Sequence, residues 1–132
     1  MKIEHLNPET MHRNPAYTQV VTVEGATKLV YVGGQNAVDA AGNIVGDDLK
    51  TQTEQALRNV LAALRAADAT QENVVRLGIY IVQGQDVAQG YAGAQAVWGR
   101  HATAITVLTV VALGNPRYLV EIEATAAIGA GA

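Results

Sequence analysis

The last apolar stretch of the sequence contains two carboxylates that could take part in chemistry. Glu121 and Glu123 alternate with apolar residues, so in an extended strand both carboxylates lie on one face. A carboxylate on a partly covered sheet face needs a hydrogen-bonding partner or a ligand. Glu121 is therefore a candidate general base that accepts a proton or orients a water molecule. The alternative is that both carboxylates face solvent or pair with Arg76 or Arg117.

Two adjacent glycines, Gly33 and Gly34, follow a short β-branched stretch. Glycines at a strand end allow unusual backbone angles or the close approach of another group. The backbone N–H groups at such a corner could hold a carboxylate or a carbonyl oxygen. A turn that merely needs small residues is the alternative.

Most other patterns that signal catalysis are absent from the sequence. It contains neither cysteine nor serine, which excludes disulfides, thiolate nucleophiles, cysteine-based zinc sites and the Gly-x-Ser-x-Gly motif. His5, His12 and His101 are far apart in the sequence, so we expect no metal site. Gly33 and Gly34 do not belong to a Gly-x-Gly-x-x-Gly fingerprint, and no cofactor is expected.

The periodicity of apolar residues indicates two helices that would position these groups. The segment Asp48–Ala67 has one apolar stripe, which predicts an amphipathic helix lying against a sheet. A second helix is expected from Asp86 to about Arg100. Gly90 and Gly93 would weaken that helix by roughly 1 kcal/mol each relative to alanine.

Alternating or β-branched stretches indicate the strands. We expect strands at Gln19–Glu24, Lys28–Val32, Val74–Val82, Ala104–Leu113 and Tyr118–Ile128. The stretch Ala104–Leu113 is nearly all apolar, which is typical of a strand buried on both faces. The residues Gly129–Ala132 are expected to form a frayed tail.

The resulting order ββαβαββ predicts an α/β (α+β) fold in a single domain, residues 1–132, with two helices on one face of a mixed sheet. The second sheet face then has no helical cover, although Ala104–Leu113 looks buried on both faces. The simplest solution is that other subunits, related by closed rotational symmetry, cover this face. Only 16% of the residues are charged, which favours an oligomer, although an Ala- and Gly-rich chain without a partner is the alternative.

Charge and hydropathy exclude several classes of partner. The net charge is −3 and no basic run exists, so the electrostatic attraction that dominates nucleic-acid binding is missing. The segment Met1–His5 lacks the apolar region of a signal peptide, and no apolar stretch is long enough to span a bilayer. We therefore expect a cytoplasmic protein that binds neither nucleic acid nor membrane.

Several blocks of the sequence, taken in order, resemble the Rid (reactive intermediate deaminase) family, which is also called YjgF-like or L-PSP endoribonuclease-like. These blocks are Asn14–Tyr17 (NPAY), Val30–Gln35 (VYVGGQ), Gln52–Leu64 (QTEQALRNVLAAL), Ala66–Val75 (AADATQENVV), Arg76–Val82 and Leu119–Ala124 (LVEIEA). Each block is weak alone, but together they cover nearly the whole chain. The resemblance implies a chorismate-mutase-like homotrimer with small-molecule clefts between neighbouring subunits.

The resemblance also implies roles for individual residues. Tyr17 matches the cleft tyrosine of the family, and Gly34 matches the glycine whose backbone faces the ligand. Glu121 matches the glutamate that is thought to position the hydrolytic water. Gly33 stands where many members have serine, and Tyr91 falls near a position that is often asparagine.

One departure from the family pattern affects the expected chemistry. The imine-hydrolysing members carry an arginine in a Pro-Ala-Arg-Ser/Thr stretch, and its guanidinium grips the substrate carboxylate through two hydrogen bonds. Here this position falls on Ile105, followed by Thr106. We expect the isoleucine to remove activity on 2-imino acids unless Arg117, in a nearby loop, supplies a displaced guanidinium. A neutral, more apolar ligand beside Ile105, Val107 and Trp98 fits the sequence better.

Three functions follow from the resemblance. The first is hydrolysis of a C=N or similar bond in a small metabolite without a carboxylate, with Glu121 positioning water and Tyr17 acting as an acid or orienting group. The alternative is a non-catalytic trimer whose clefts hold a ligand and regulate a partner. The third is the ribonucleolytic activity attached to the family by name, against which the acidic composition argues.

Overall fold

Within residues 1–130, which the computed structural model describes, the chain forms six strands and two α-helices. The strands are β1 (Lys2–Leu6), β2 (Val20–Glu24), β3 (Ala26–Gln35), β4 (Val74–Val82), β5 (Ala104–Val110) and β6 (Val120–Gly129). The helices are α1 (Leu49–Ala66) and α2 (Val87–Val97), and a short 3-10 helix (Gln71–Asn73) precedes β4. The order after β1 is the predicted ββαβαββ, and the mixed α+β architecture is confirmed.

Strands β3 to β6 form a four-stranded mixed sheet in the order β3-β6-β4-β5. Strands β4 and β5 pair in parallel, as expected for strands joined through a helix, here α2. Strand β6 pairs antiparallel with both β3 and β4, which makes it central. Strands β1 and β2 form a separate two-stranded antiparallel sheet.

Helix α1 covers the centre of the sheet. Its first turn is capped by Asp48, whose carboxylate accepts a hydrogen bond of 2.7 Å from the Thr51 N–H. This bond holds the pKa of Asp48 below its usual value. The apolar stripe of the helix is buried as the sequence predicts, through Leu49, Ala56, Leu57, Val60 and Leu64. It packs on the sheet residues Val74, Leu77, Val120, Ile122 and Ala126.

The two ends of the chain differ from the sequence-based expectations. Strand β1 was not predicted, because only pairing with β2 makes this short, half-polar segment extended. Gly129 belongs to β6, where it pairs with Ala26 and contacts Met1, so it is not part of a frayed tail. Residues 131–132 of the expected tail lie outside the described residues.

Strand β5 also differs from its prediction. It ends at Val110 and lies at the edge of the sheet, so within one chain it is not buried on both faces. Val107 is 50% exposed and Leu108 is 49% exposed. Both helices lie on the other side of the sheet from Leu108, and we call the side without helices the open face.

No helix within residues 1–130 has both the length and the apolar character needed to cross a membrane.

Candidate functional site

A cavity of about 480 Å³ lies between α2 and the helix-covered face of the sheet. Its volume falls within the range of roughly 300–1,000 Å³ that is usual for small-molecule sites. Helix α1 contributes Leu57 and Thr53 to the lining, and α2 and the turn after it contribute Tyr91 and Trp98. The sheet contributes the apolar side chains Leu77, Ile79, Ile81, Ile105 and Ile122. We call this space the α2 cavity.

Two glycines of α2 let that helix pack closely on its neighbours. A Cβ atom at Gly93 would lie 2.6 Å from the Lys50 carbonyl oxygen and 3.0 Å from the Thr53 Cβ, which only glycine avoids. A Cβ atom at Gly90 would lie 3.3 Å from the Leu49 Cδ2. The glycines that lower the helix propensity of α2 therefore set the distance between the helices and the position of the cavity.

Tyr17 lines the α2 cavity near the start of β5. The Thr18 N–H donates to the Thr103 carbonyl oxygen over 2.9 Å, which ties this segment to the residue before the strand. The Tyr17 hydroxyl and the His12 Nε2 are 2.7 Å apart. The Gln19 Nε2 in turn donates to the His12 carbonyl oxygen over 3.0 Å. The phenol is therefore held in place by hydrogen bonds.

Four further lining residues are polar or charged: Thr53, Gln95, Arg100 and His101. Among residues 1–130, the Thr53 Oγ1 and the His101 Nε2 are buried without a hydrogen-bonding partner. Burial lowers the pKa of His101, and its neighbour His5 lowers it further, against the opposing effects of the Val74 backbone and Glu72. His101 is therefore neutral at neutral pH. Gln95 and Arg100 are both exposed.

Glu121 lies on the open face. Neighbouring residues of a strand point to opposite faces, and Ile122 lines the α2 cavity, so Glu121 points away from it. The Asn36 Nδ2 donates to the Glu121 Oε1 over 3.2 Å and to the Val120 carbonyl oxygen over 3.0 Å. The Glu121 carboxylate is therefore held beside β3.

Gly33 and Gly34 lie where the pairing of β3 and β6 is irregular. The register moves from Val32 opposite Ala124 to Gln35 opposite Ile122, so both glycines face the single residue Glu123 in a β-bulge. The Glu121 side chain lies directly against Gly34, where a Cβ would be 2.8 Å from the Glu121 Cδ. Among residues 1–130, no atom lies within 4 Å of a Cβ placed at Gly33. Gly34 therefore makes room for Glu121.

A second polar group on the open face surrounds Glu123. The Tyr80 hydroxyl donates to the Glu123 Oε1 over 2.7 Å, and this hydrogen bond raises the pKa of Tyr80. The Glu123 side chain covers Gly78, as Glu121 covers Gly34. The Arg76 Nη1 donates to the Thr106 Oγ1 over 3.4 Å. Neither glutamate has an ion-pair partner within 4.0 Å among residues 1–130; each is bound by a neutral side chain instead.

The residues singled out in the sequence thus fall into separate places. Tyr17, Tyr91 and Ile105 line the α2 cavity together. Gly34, Thr106 and Glu121 lie on the open face, with Gly33 in the adjacent bulge. Within one chain the structure does not bring Tyr17 and Glu121 together.

Arg117 and Val107 lie outside the cavity lining. Arg117 is in the exposed loop before β6, where its carbonyl oxygen accepts a bond of 2.9 Å from the Gln52 Nε2. That loop follows the far end of β5, and Ile105 to Val110 spans about 17 Å of strand at roughly 3.3 Å per residue. Trp98 does line the cavity, but Val107 is half exposed beyond it.

Sequence reasoning missed Thr53, Arg100 and His101 as lining residues. Thr53 belongs to the apolar stripe of α1, which gave no sign of a cavity. The signal for Arg100 and His101 was the helical spacing of Tyr91, Ala94 and Trp98. Arg100 and His101 follow the end of this helix face and line the same cavity.

Comparison with known proteins assigns the chain to a family. The family model Endoribonuclease L-PSP matches residues 9–128. The chain belongs to this family. The L-PSP chain is similar to RutC family protein PH0854 of Pyrococcus horikoshii, with 31% identity over 111 residues, covering 83% of this chain and 85% of the relative.

Solved structures of Rid and YjgF-type proteins share the L-PSP fold seen here. The crystal structure of YyfB, a protein of the conserved Rid family from Yersinia pestis, superposes with a TM-score of 0.86 at 35% identity, covering 97% of this chain and all of the other (100%). Rv2704 of Mycobacterium tuberculosis, from the YjgF/YER057c/UK114 family, gives a TM-score of 0.67 at 33% identity, with 85% and 86% covered. The resemblance to the Rid family is confirmed.

Proposed function

We propose that this protein binds a small, predominantly apolar molecule in the α2 cavity and that it is not an arginine-dependent 2-imino acid deaminase. The observation that carries the proposal is the composition of the cavity wall. Ile105 lines it together with Leu77 and Ile79, so hydrocarbon stands where the resemblance expects a guanidinium. A hydrocarbon surface favours apolar groups by roughly 25 cal/mol for each Å² removed from water, and it cannot bind a carboxylate.

The position of Arg117 supports the second half of this proposal. Its loop lies at the end of β5 opposite to Ile105, and it does not line the cavity. The span of about 17 Å along the strand exceeds the length of an arginine side chain. Arg117 of the same chain therefore does not replace the missing arginine.

A second candidate function is hydrolysis, and the fixed position of Glu121 favours it. Asn36 holds this carboxylate on the open face beside a glycine, which suits a group that orients water. Water would add to the carbon of a C=N bond, the nitrogen would leave as an amine or ammonia, and a carbonyl would remain. Since Tyr17 and Glu121 face opposite sides of one sheet, this reaction requires a neighbouring subunit to complete the site.

The open face supports a homotrimer with clefts between subunits, which the resemblance implies. Tyr31 is 74% exposed, Leu29 is 52% exposed and Leu108 is 49% exposed on this face. Apolar patches of this kind are rare on monomers and usual at interfaces. Light scattering after size exclusion should give three times the chain mass of 13.8 kDa, and a mass of one chain would contradict the trimer.

We do not propose endoribonuclease activity for this chain, although the family is named for it. The net charge of −3 argues against the attraction to phosphates on which RNA binding depends. A cytoplasmic location also stays a prediction.

Trp98 allows a direct test of the proposed function, because it is the only tryptophan of the chain and lines the cavity. Small apolar probes such as benzene and 3-phenylpropan-1-ol should change its fluorescence saturably. Replacing Ile105 with Asp should weaken that binding at least tenfold, while the surface variant Arg65→Gln should bind normally. If these probes leave the Trp98 fluorescence of both the unmodified protein and Arg65→Gln unchanged, the proposal is wrong.

A parallel assay separates binding from catalysis. Ammonia release from 2-iminopropanoate and 2-iminobutanoate should not exceed the rate without enzyme. Turnover comparable to that of an arginine-bearing relative would overturn the claim for Ile105. The hydrolytic function holds if the protein consumes a ligand identified through Trp98 fluorescence and if Glu121→Gln stops this consumption but not the binding. A ligand that is bound and recovered intact favours the regulatory alternative.

A further inference from the structure

The α2 cavity contains one charged residue, and nothing in its lining neutralises it. Arg100 is the only lysine, arginine, aspartate or glutamate among the lining residues of the described chain. Within residues 1–130 no carboxylate lies within 4.0 Å of it, since the ion pairs there involve Lys2, Lys50 and Arg58. The cavity therefore combines an apolar interior with a single unpaired positive charge.

Arg100 stands on a turn that is anchored on several sides. Gly99 has a φ of 70°, which bends the chain sharply where α2 ends. The Trp98 Nε1 donates to the His101 carbonyl oxygen over 3.0 Å, and the Gln71 Nε2 donates to the Trp98 carbonyl oxygen over 3.0 Å. Trp98 itself is only 5% exposed. The backbone from which the guanidinium extends is therefore fixed relative to the cavity.

We propose that the ligand of the α2 cavity is a monocarboxylate with an apolar body, whose carboxylate binds Arg100 while its body packs on Leu77, Ile79 and Ile105. This inference rests on the proposed function and names its ligand class. A guanidinium presents paired N–H donors that match the two oxygens of a carboxylate. One cation without a second nearby suits one negative charge rather than the two of a phosphate monoester.

The neutral groups of the lining agree with this class. Burial lowers the pKa of His101, so this side chain adds no second cation at neutral pH. The carboxylate would bind Arg100, in the turn after α2. The resemblance instead expects the carboxylate-binding arginine at position 105, in β5. The expected ligand therefore contacts Ile105 with its apolar body and Arg100 with its carboxylate.

Matched probes test the proposal through the fluorescence of Trp98. 3-Phenylpropanoate and 3-phenylpropan-1-ol share one apolar body and differ in the charge of the polar end. At neutral pH the acid should bind roughly five- to tenfold more tightly, since a hydrogen-bonded ion pair at a partly exposed site is worth about 1 kcal/mol. High salt should reduce this preference and leave the binding of the alcohol unchanged.

Variants at Arg100 then assign the preference to this side chain. Arg100→Gln should bind both probes equally, with the alcohol affinity of the unmodified protein, and Arg100→Lys should keep part of the preference. Arg65→Gln removes an exposed arginine of α1 that does not line the cavity, and it should keep the whole preference. Far-ultraviolet circular dichroism should show that all three variants are folded.

The possible results distinguish this inference from the proposed function. Equal affinities for the acid and the alcohol in the unmodified protein overturn the role of Arg100 but leave an apolar binding cavity. A preference for the acid that survives in Arg100→Gln also overturns it. If the fluorescence of Trp98 responds to neither probe, both proposals are wrong.

Discussion

The Glu121 carboxylate lies against Gly34, in the space that any larger residue at position 34 would fill. The two residues belong to neighbouring strands, and Asn36 holds the carboxylate there with a hydrogen bond of 3.2 Å. Within the bulge, position 34 thus requires a small residue, whereas the neighbouring position 33 does not. This difference permits a matched pair of variants.

We expect Gly34→Ala to destabilise the protein by about 1–3 kcal/mol, because the added methyl group displaces Glu121 from Asn36. Gly33→Ala should change the free energy of unfolding by less than about 0.5 kcal/mol, since a Cβ there has no neighbour within 4 Å in the part of the chain that the structure describes. Urea unfolding at equal protein concentration measures both values. Equal losses in the two variants would show that the bulge, and not the contact with Glu121, requires glycine.

Gly93→Ala should destabilise the protein although alanine favours helices. Propensity alone would stabilise α2 by roughly 1 kcal/mol. The new Cβ would lie 2.6 Å from the Lys50 carbonyl oxygen, so α2 must move away from α1, and overpacking of this kind costs about 1–3 kcal/mol. Gly90→Ala is the control, because its nearest neighbour at 3.3 Å is the end of the flexible Leu49 side chain. A stabilised Gly93→Ala variant would contradict the close packing of the two helices.

Acid should destabilise the fold in part through His101. Burial lowers its pKa below the ordinary 6.5, so the folded chain binds this proton less readily than the unfolded chain. The stability that neutral His101 contributes is therefore complete above about pH 6.5 and is lost as the pH falls through the lower pKa of the folded state. Thermal unfolding between pH 8 and pH 5 should show a smaller decrease for His101→Asn than for the unmodified protein. His5 and Glu72, which act on His101 in opposite directions, remain in both proteins.

The Tyr80 hydroxyl should ionise at a higher pH than an ordinary tyrosine. Its hydrogen bond to the Glu123 carboxylate raises its pKa above 10, because ionisation would place two negative charges side by side. Ultraviolet titration of Glu123→Gln should show this transition moved toward lower pH. Tyr80→Phe identifies the transition among the five tyrosines, and Glu121→Gln should shift it much less. An unchanged titration in Glu123→Gln would exclude the bond.

Periodicity was enough to predict the main elements of the fold. The stripe of α1 and the alternation in β4 and β6 indicated which sides are buried, because one helix face and one strand face must exclude water. The order ββαβαββ then limited the topology through the parallel pairing of β4 and β5. Strand β1 escaped prediction because its extended form depends on β2, which is distant in sequence.

The site was less predictable because it depends on which face each strand presents. Glu121 and Ile105 were both assigned to one cleft between subunits, and within one chain Ile105 lines the α2 cavity while Glu121 lies on the open face. Their meeting in one cleft stays a prediction. Arg100 and His101 carry no motif, and only the end of α2 places them beside the cavity. The expected burial of β5 on both faces concerns an assembly, and a single chain leaves Leu108 exposed.

The exposed aromatic and aliphatic side chains of the open face would link folding to protein concentration if neighbouring subunits cover them. If Tyr31 and Leu108 become buried only when subunits meet, each halving of the subunit concentration draws the equilibrium toward separated, less stable chains. The melting temperature should then rise with the amount of protein in the sample. Expression level would then set the fraction of assembled molecules, and dilution alone would destabilise the fold.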